Sequence, residues 1–135
     1  MSPKVLALDY GSARTGVAVS DPTGTIARPL GIVERARTTA GLDRLAELVR
    51  EHAPDRIVVG LPLTLRGERG SQAVETEEFV AALRARVDVP VESFDERFTS
   101  QLAAQDPTAG AESDDARAAA HLLTGYLEWS KARPA

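Results

Sequence analysis

Three short runs hold the residues best placed to do chemistry: Asp9-Tyr10-Gly11-Ser12-Ala13-Arg14-Thr15-Gly16, Asp95-Glu96-Arg97-Phe98-Thr99-Ser100 and Asp114-Asp115-Ala116-Arg117-Ala118-Ala119. Each opens with an acid at the edge of an apolar segment, where an ionised carboxylate is costly to place. Carboxylates brought to one point from separate elements are the usual means of holding hard divalent cations. Two Mg²⁺ or Mn²⁺ ions about 3.5–4 Å apart in such a site would activate a water and stabilise the leaving oxygen of a phosphodiester. The pattern therefore points to metal-assisted chemistry on a phosphate ester.

Each acid also has a purely structural explanation. Asp9 shares a strand face with Val5 and Ala7, opposite Leu6 and Leu8, and an Asp there can simply start a turn by accepting backbone N–H groups near Gly11. Asp95 can pair locally with Arg97 on its own face. Glu96, on the opposite face, becomes the ligand if that strand is bulged or shifted by one residue. Between the two adjacent acids of the last run, spacing decides. Asp115 lines up with Ala118, Ala119 and Leu122, whereas Asp114 lines up with Arg117, Ala118 and His121. Asp115 is thus expected to face the sheet and Asp114 to face water, where an acid at a helix N-terminus contributes roughly 0.3–1 kcal/mol. Asp9, Asp95 and Asp115 are the candidate catalytic and metal-binding acids. Together they would raise one another's pKa values unless a cation neutralised them.

Candidate substrate contacts are Arg14, Arg97, Arg66 and Arg69. Arg14 and Arg97 sit beside proposed ligands and can hold a phosphate through paired bonds, or merely offset the acids' charge. Arg66 and Arg69 lie in a glycine-containing loop, where a solvated position competes with a grip on substrate. Tyr10 is expected to cover the sheet edge rather than stack on a base. His52 and His121 are expected at the surface, unpaired with each other. With aromatics at 4%, the chain has no extended platform for base stacking.

The elements that must position these residues follow from pattern. Val5 to Asp9 reads as a buried strand and Gly16 to Ser20 as its partner. Asp21-Pro22-Thr23-Gly24 is a turn, and Ile26 to Val33 a third strand, giving an antiparallel meander. Leu42, Leu45, Ala46, Val49 and Ala53 recur at helical spacing, capped by Thr38 or Thr39 and ended by Pro54. Arg56 to Pro62 is a continuous apolar strand, as in a sheet buried on both faces. Ser71 caps a second helix with Ala73, Thr76, Val80, Leu83 and Val87 inward and Phe79 alongside. A strand from Pro90 to about Asp95, a loop over 103–113 and a helix from about Asp114 to Trp129 complete the chain, with Trp129 packing that helix. The order β-β-β-α-β-α-β-α means an α/β fold, a mixed five-stranded sheet with helices on both faces, which is the order of the ribonuclease H-like fold.

At 135 residues the chain is long enough for one domain with a real core, and a single domain over 1–135 is expected. Apolar residues at 43% and charged residues at 27% fit a soluble globular protein. The lack of cysteine excludes disulfides, thiolate zinc sites and cysteine nucleophiles. The net charge of −4 argues against a passive, salt-driven nucleic-acid binder, but not against an enzyme whose bound cations screen phosphates. The N-terminus reads as a strand rather than a signal peptide, and no run reaches membrane-spanning length. A cytoplasmic location and no membrane partner are the expectation.

Asp9-Tyr10-Gly11 with Arg14 and Gly16, Val59-Gly60-Leu61-Pro62, Gln72-Ala73 and Asp95-Glu96-Arg97-Phe98-Thr99 resemble the YqgF family, also called RuvX. The resemblance runs from Leu6 to about Leu127, and the family's Asp-x-x-Ala-Ala segment aligns with Asp115. It implies a divalent-metal-dependent nuclease of ribonuclease H-like fold, with Asp9, Asp95 and Asp115 as active-site acids. It further implies trimming of the 5′ end of precursor 16S rRNA in ribosome biogenesis, ranked ahead of the family's older assignment, resolution of Holliday junctions. The nucleic-acid partner is then pre-16S rRNA or branched DNA. Relatives often carry basic residues before the last helix, whereas Gln105 to Glu112 has none; phosphate affinity must come from arginines elsewhere.

Two other classes compete. Asp-x-Gly-x-x-x-x-Gly between strands also resembles the phosphate loop of actin-like and sugar-kinase ATPases, but those folds enclose a nucleotide with two such domains. A non-catalytic RNA-binding factor on an inherited fold is the other. A junction resolvase is expected to be a symmetric homodimer, whereas a monomer suffices for rRNA trimming.

Overall fold

The computed structural model describes residues 3–62, 70–95 and 114–132. Its elements run β1 (Val5–Asp9), β2 (Arg14–Ser20), β3 (Ala27–Glu34), α1 (Thr39–His52), β4 (Arg56–Leu61), α2 (Ser71–Arg84), β5 (Val91–Asp95) and α3 (Asp114–Ala132). The strands form one sheet in the order β3-β2-β1-β4-β5. β1, β2 and β3 make the expected antiparallel meander, while β4 and β5 run parallel to β1. Parallel pairing needs crossovers, which α1 and α2 supply. The expected loop over 103–113 lies outside the described residues.

Alternation along the strands sorts the core into two layers. Leu6, Leu8, Val17, Val19 and Val59 pack with Leu45 of α1 and Phe79 and Leu83 of α2. Val5, Ala7, Ala18, Val58 and Phe94 pack with Ala119, Leu123 and Tyr126 of α3. β1 at the centre is therefore buried on both sides, and Asp9 ends it on the α3 side. Small residues at Ala7, Ala18, Ala116 and Ala119 are almost fully buried, which lets α3 lie close to the sheet.

The C-terminal part of α3 is anchored to β5 by side chains. The Tyr126 hydroxyl donates to Glu92 Oε1 at 2.7 Å and accepts from Arg56 Nη1 at 2.9 Å. Phe94 meets Tyr126 and Trp129 edge-on at 5.4 and 5.3 Å between ring centres. These contacts bear out the packing role expected of Trp129.

Thr38 caps α1, accepting from the Gly41 N–H at 3.1 Å. The helix closes on Ala53, whose left-handed backbone (φ 46°) directs its N–H to the Val49 carbonyl before Pro54. One cap differs from expectation. Gly70, not Ser71, occupies the N-cap of α2 and makes no side-chain bond. Glycine is tolerated at that position at a cost of only a few tenths of a kcal/mol relative to a side-chain cap. α2 also ends at Arg84, so Val87 lies beyond it and reaches the core only partly buried.

Candidate active site

Asp9 pairs with Gly16 across β1 and β2. The first turn of α3 rests directly on Gly16: a Cβ there would overlap the Asp115 carbonyl and approach the Ala116 nitrogen to 3.0 Å. Glycine at position 16 is thus what allows α3 to start on top of the residue facing Asp9. Ala116, Ala119, Leu122 and Leu123 are buried, and Asp115 stands half-buried at the N-terminal margin of their stripe. The backbones of Asp9 and Asp115, read separately from the sequence, thus both adjoin one glycine.

Arg14 joins them from the start of β2. Its Nε lies 3.3 Å from Asp115 Oδ2, with the two side chains 63% and 40% exposed. An ion pair that open contributes little to stability and can exchange its carboxylate for a phosphate. The arginine pairs with the helix acid rather than with Asp9, its nearer neighbour in sequence.

The loop between β1 and β2 is equally constrained. A Cβ on Gly11 would meet the Arg14 carbonyl oxygen at 2.5 Å, so only glycine fits the turn. Tyr10 leaves Asp9 toward the opposite face, where its ring stacks on Phe79 at 4.5 Å. Its hydroxyl donates to Glu75 Oε2 at 2.6 Å, and the Ser12 hydroxyl donates to the same oxygen at 2.7 Å. Burial first, then the Glu75 carboxylate, push the Tyr10 phenol up to about 12. The Ser12 and Tyr10 hydroxyls hold the Glu75 carboxyl below its usual range. Tyr10, expected to cover the sheet edge, instead follows the central strand and packs against the core through Phe79.

Asp95 ends β5 opposite Leu61. Phe94 faces α3 and Val91 faces the other layer, so strand alternation sets Asp95 on the side away from Asp9. It stands two strand spacings from β1, roughly 10 Å. Among the described residues no three acid or imidazole side chains group closely enough to hold a metal ion. Glu96, Arg97, Arg66 and Arg69 lie outside the described residues, as does the Asp114 side chain. Three such side chains are not required for a small hard cation, because Mg²⁺ is commonly held by one or two carboxylates plus waters and substrate phosphates.

Residues not singled out from the sequence border the other side of the loop. Arg35 has a left-handed backbone (φ 47°), which costs a residue other than glycine roughly 1–2 kcal/mol. Its N–H donates to the Ala13 carbonyl at 2.9 Å. Its own carbonyl accepts from the Thr38 N–H at 3.0 Å and hydroxyl at 2.7 Å. With Arg37, Tyr10, Ser12 and Glu75 it lines an open cleft of about 640 Å³. The only trace in sequence is Arg35-Ala36-Arg37 between the third strand and the cap of α1.

The family model described as "RuvX: Holliday junction resolvase" matches residues 3–129. The chain belongs to the RuvX family. Among similar proteins, this RuvX chain is 43% identical over 131 residues to one named "Putative pre-16S rRNA nuclease" from Chloroflexus aggregans, covering 92% of each. It is likewise 43% identical over 137 residues to a protein of the same name from Rubrobacter xylanophilus, covering 95% of the RuvX chain and 96% of the relative. Among solved structures, it superposes on Thermus thermophilus RuvC in complex with a Holliday junction substrate with a TM-score of 0.65 at 18% identity over 97% of each chain. A further Thermus thermophilus RuvC structure gives 0.62 at 20% identity, covering 98% and 99%. This likeness shows that the RuvX chain has the ribonuclease H-like fold expected from its element order.

Proposed function

We propose that this RuvX chain is a divalent-metal-dependent nuclease that hydrolyses phosphodiester bonds and trims the 5′ end of precursor 16S rRNA. The observation that supports the reading is the seating of α3 on Gly16, with the Asp115 backbone against the cross-strand partner of Asp9. Asp9, Asp115 and the exposed Arg14 guanidinium that meets Asp115 would together suit a metal-bound phosphate. The names of the relatives over nearly the full chain favour precursor rRNA as substrate.

Asp9 and Asp115 would hold Mg²⁺ or Mn²⁺, with a third carboxylate from the end of β5. Asp95 is the proposed residue, with Glu96 taking its place if that strand is shifted by one residue. Bound ions in such a site supply a water of lowered pKa and neutralise charge at the leaving oxygen. Arg14 leaves Asp115 for a phosphate oxygen as substrate enters, and Arg97, Arg66 and Arg69 extend the phosphate contacts. A monomer suffices for this reaction. No helix among the described residues is long and apolar enough to cross a membrane, and a cytoplasmic location fits a ribosomal precursor.

The family description favours a second reading, cleavage of four-way DNA junctions, which calls for a symmetric dimer. A 5′-extended 16S rRNA fragment and a four-way DNA junction, each incubated with enzyme and Mn²⁺, separate the two. Faster cleavage of the rRNA is expected. Preferential junction cleavage by a dimer would replace this reading with the second, and EDTA-insensitive cleavage of either substrate would remove the metal from it.

A further inference from the structure

On the α2 side of loop 10–13, across from the acids, the cleft bordered by Tyr10, Ser12, Arg35, Arg37, Thr38 and Glu75 has a definite chemistry. Arg35 is exposed, and its guanidinium makes no ion pair or hydrogen bond among the described residues. Arg37 meets Glu78 at 3.5 Å, with both side chains about half exposed. With Arg37 engaged by Glu78, Arg35 is the guanidinium left available to an anion at the cleft. A glycine at position 35 would take the left-handed backbone without strain. The chain instead carries an arginine there and ties its backbone to Ala13 and Thr38, so its head is presented at the cleft from a fixed base.

Glu75 adds the complementary half. Both hydroxyl donors, Tyr10 and Ser12, fall on Oε2, and Oε1 receives no hydrogen bond among the described residues. An ionised carboxylate only accepts, so a ligand that meets it must bring a donor as well as an anion for Arg35. A ribonucleotide carries both, a backbone phosphate and a 2′-hydroxyl, and acidic side chains commonly accept from ribose hydroxyls. A deoxyribose lacks the donor.

We propose that this cleft is a ribonucleotide subsite in which Arg35, with Arg37, holds a backbone phosphate and Glu75 Oε1 accepts the 2′-hydroxyl of the same strand. The inference rests on the reading of the protein as a nuclease and names the device that selects RNA over DNA. Because Tyr10 follows Asp9 and Ala13 precedes Arg14, a strand crossing this loop passes from the cleft to the acids.

The test is equilibrium binding in EDTA of a fluorescent single-stranded oligoribonucleotide and its all-2′-deoxy counterpart of identical bases, deoxyuridine included. Wild type is expected to prefer the ribo strand. Glu75→Ala is expected to bring the ratio of the two affinities close to one. Arg35→Gly is expected to weaken both strands roughly tenfold, the order of one charge-assisted contact, and to lower the salt dependence by about one phosphate. Relief of the left-handed strain should raise its Tm, which separates lost binding from lost folding. Equal affinity of wild type for both strands, or a ratio unchanged in Glu75→Ala, would overturn the subsite. Binding in EDTA needs no cleavage. An active enzyme whose ratio ignores Glu75 therefore loses only the subsite, and an inactive one whose ratio depends on Glu75 loses only the nuclease reading.

Discussion

The carbonyl oxygen of Asp115 lies against the α-carbon of Gly16, with no room between them for a methyl group. Since Gly16 is also the cross-strand partner of Asp9, this single approach couples the two ends of the chain at the proposed site. Gly16→Ala must therefore lift the first turn of α3 or push β2 aside. Overpacking of this kind costs about 1–3 kcal/mol, read as a lower urea midpoint. Cleavage should fall well beyond what that loss of folded protein explains, because Asp115 moves from Asp9. Cleavage at the wild-type rate per folded molecule would mean that the seating of α3 does not matter to the chemistry.

Arg14 tests the other side of the pair. Its ion pair with Asp115 is open to solvent, so Arg14→Ala should change stability by less than about 0.5 kcal/mol. If Arg14 passes to the scissile phosphate, the variant loses cleavage through kcat. If it holds only a neighbouring phosphate, the loss falls on KM. Steady-state kinetics on the precursor fragment, with the urea midpoint beside them, check this, and the account predicts a fall in kcat with the midpoint unchanged.

The hairpin at the opposite end of the sheet gives a pH prediction independent of the site. Asp21 Oδ1 accepts from the Thr25 and Ile26 N–H groups at 2.9 Å, and Oδ2 accepts from the Thr23 hydroxyl at 2.6 Å. The Thr23 bond first, then the Ile26 N–H, bring the Asp21 carboxyl from 3.8 down to about 2. A carboxyl lowered on folding contributes stability above its unfolded pKa and loses it as pH falls through the folded one. Asp21→Asn should therefore be less stable than wild type above pH 4, with the gap closing toward pH 2. Thermal midpoints of the two proteins across that window check it, and a gap independent of pH would contradict the assignment.

Much of this architecture was legible in the residues because two periodicities meet at the site. Alternation along Val5 to Asp9 assigns Asp9 to one face without knowledge of the partner strands. Helical spacing from Asp115 to Leu122 selects that acid over its neighbour, and α3 packs as the spacing requires. The face of Asp95 was not legible, because it depends on the register of β5 against β4 and hence on which layer Phe94 enters. Ser71 as a cap failed for a local reason: a glycine one residue earlier takes the cap backbone as readily. The Arg35–Glu75 cleft was hidden more deeply. Its members come from the first loop, the end of β3 and α2, and neither composition nor spacing records that the meander and the second crossover meet there.

Asp9 ends the central strand and faces the glycine that seats Asp115. The most direct measurement is single-turnover cleavage of the 5′-extended 16S rRNA fragment by wild type and Asp9→Asn, each with Mn²⁺ and with EDTA. Mn²⁺-dependent cleavage by wild type is expected, with a loss of at least about 100-fold in Asp9→Asn, the scale on which a removed active-site group acts, at unchanged Tm. Cleavage by a folded Asp9→Asn at the wild-type rate would contradict it.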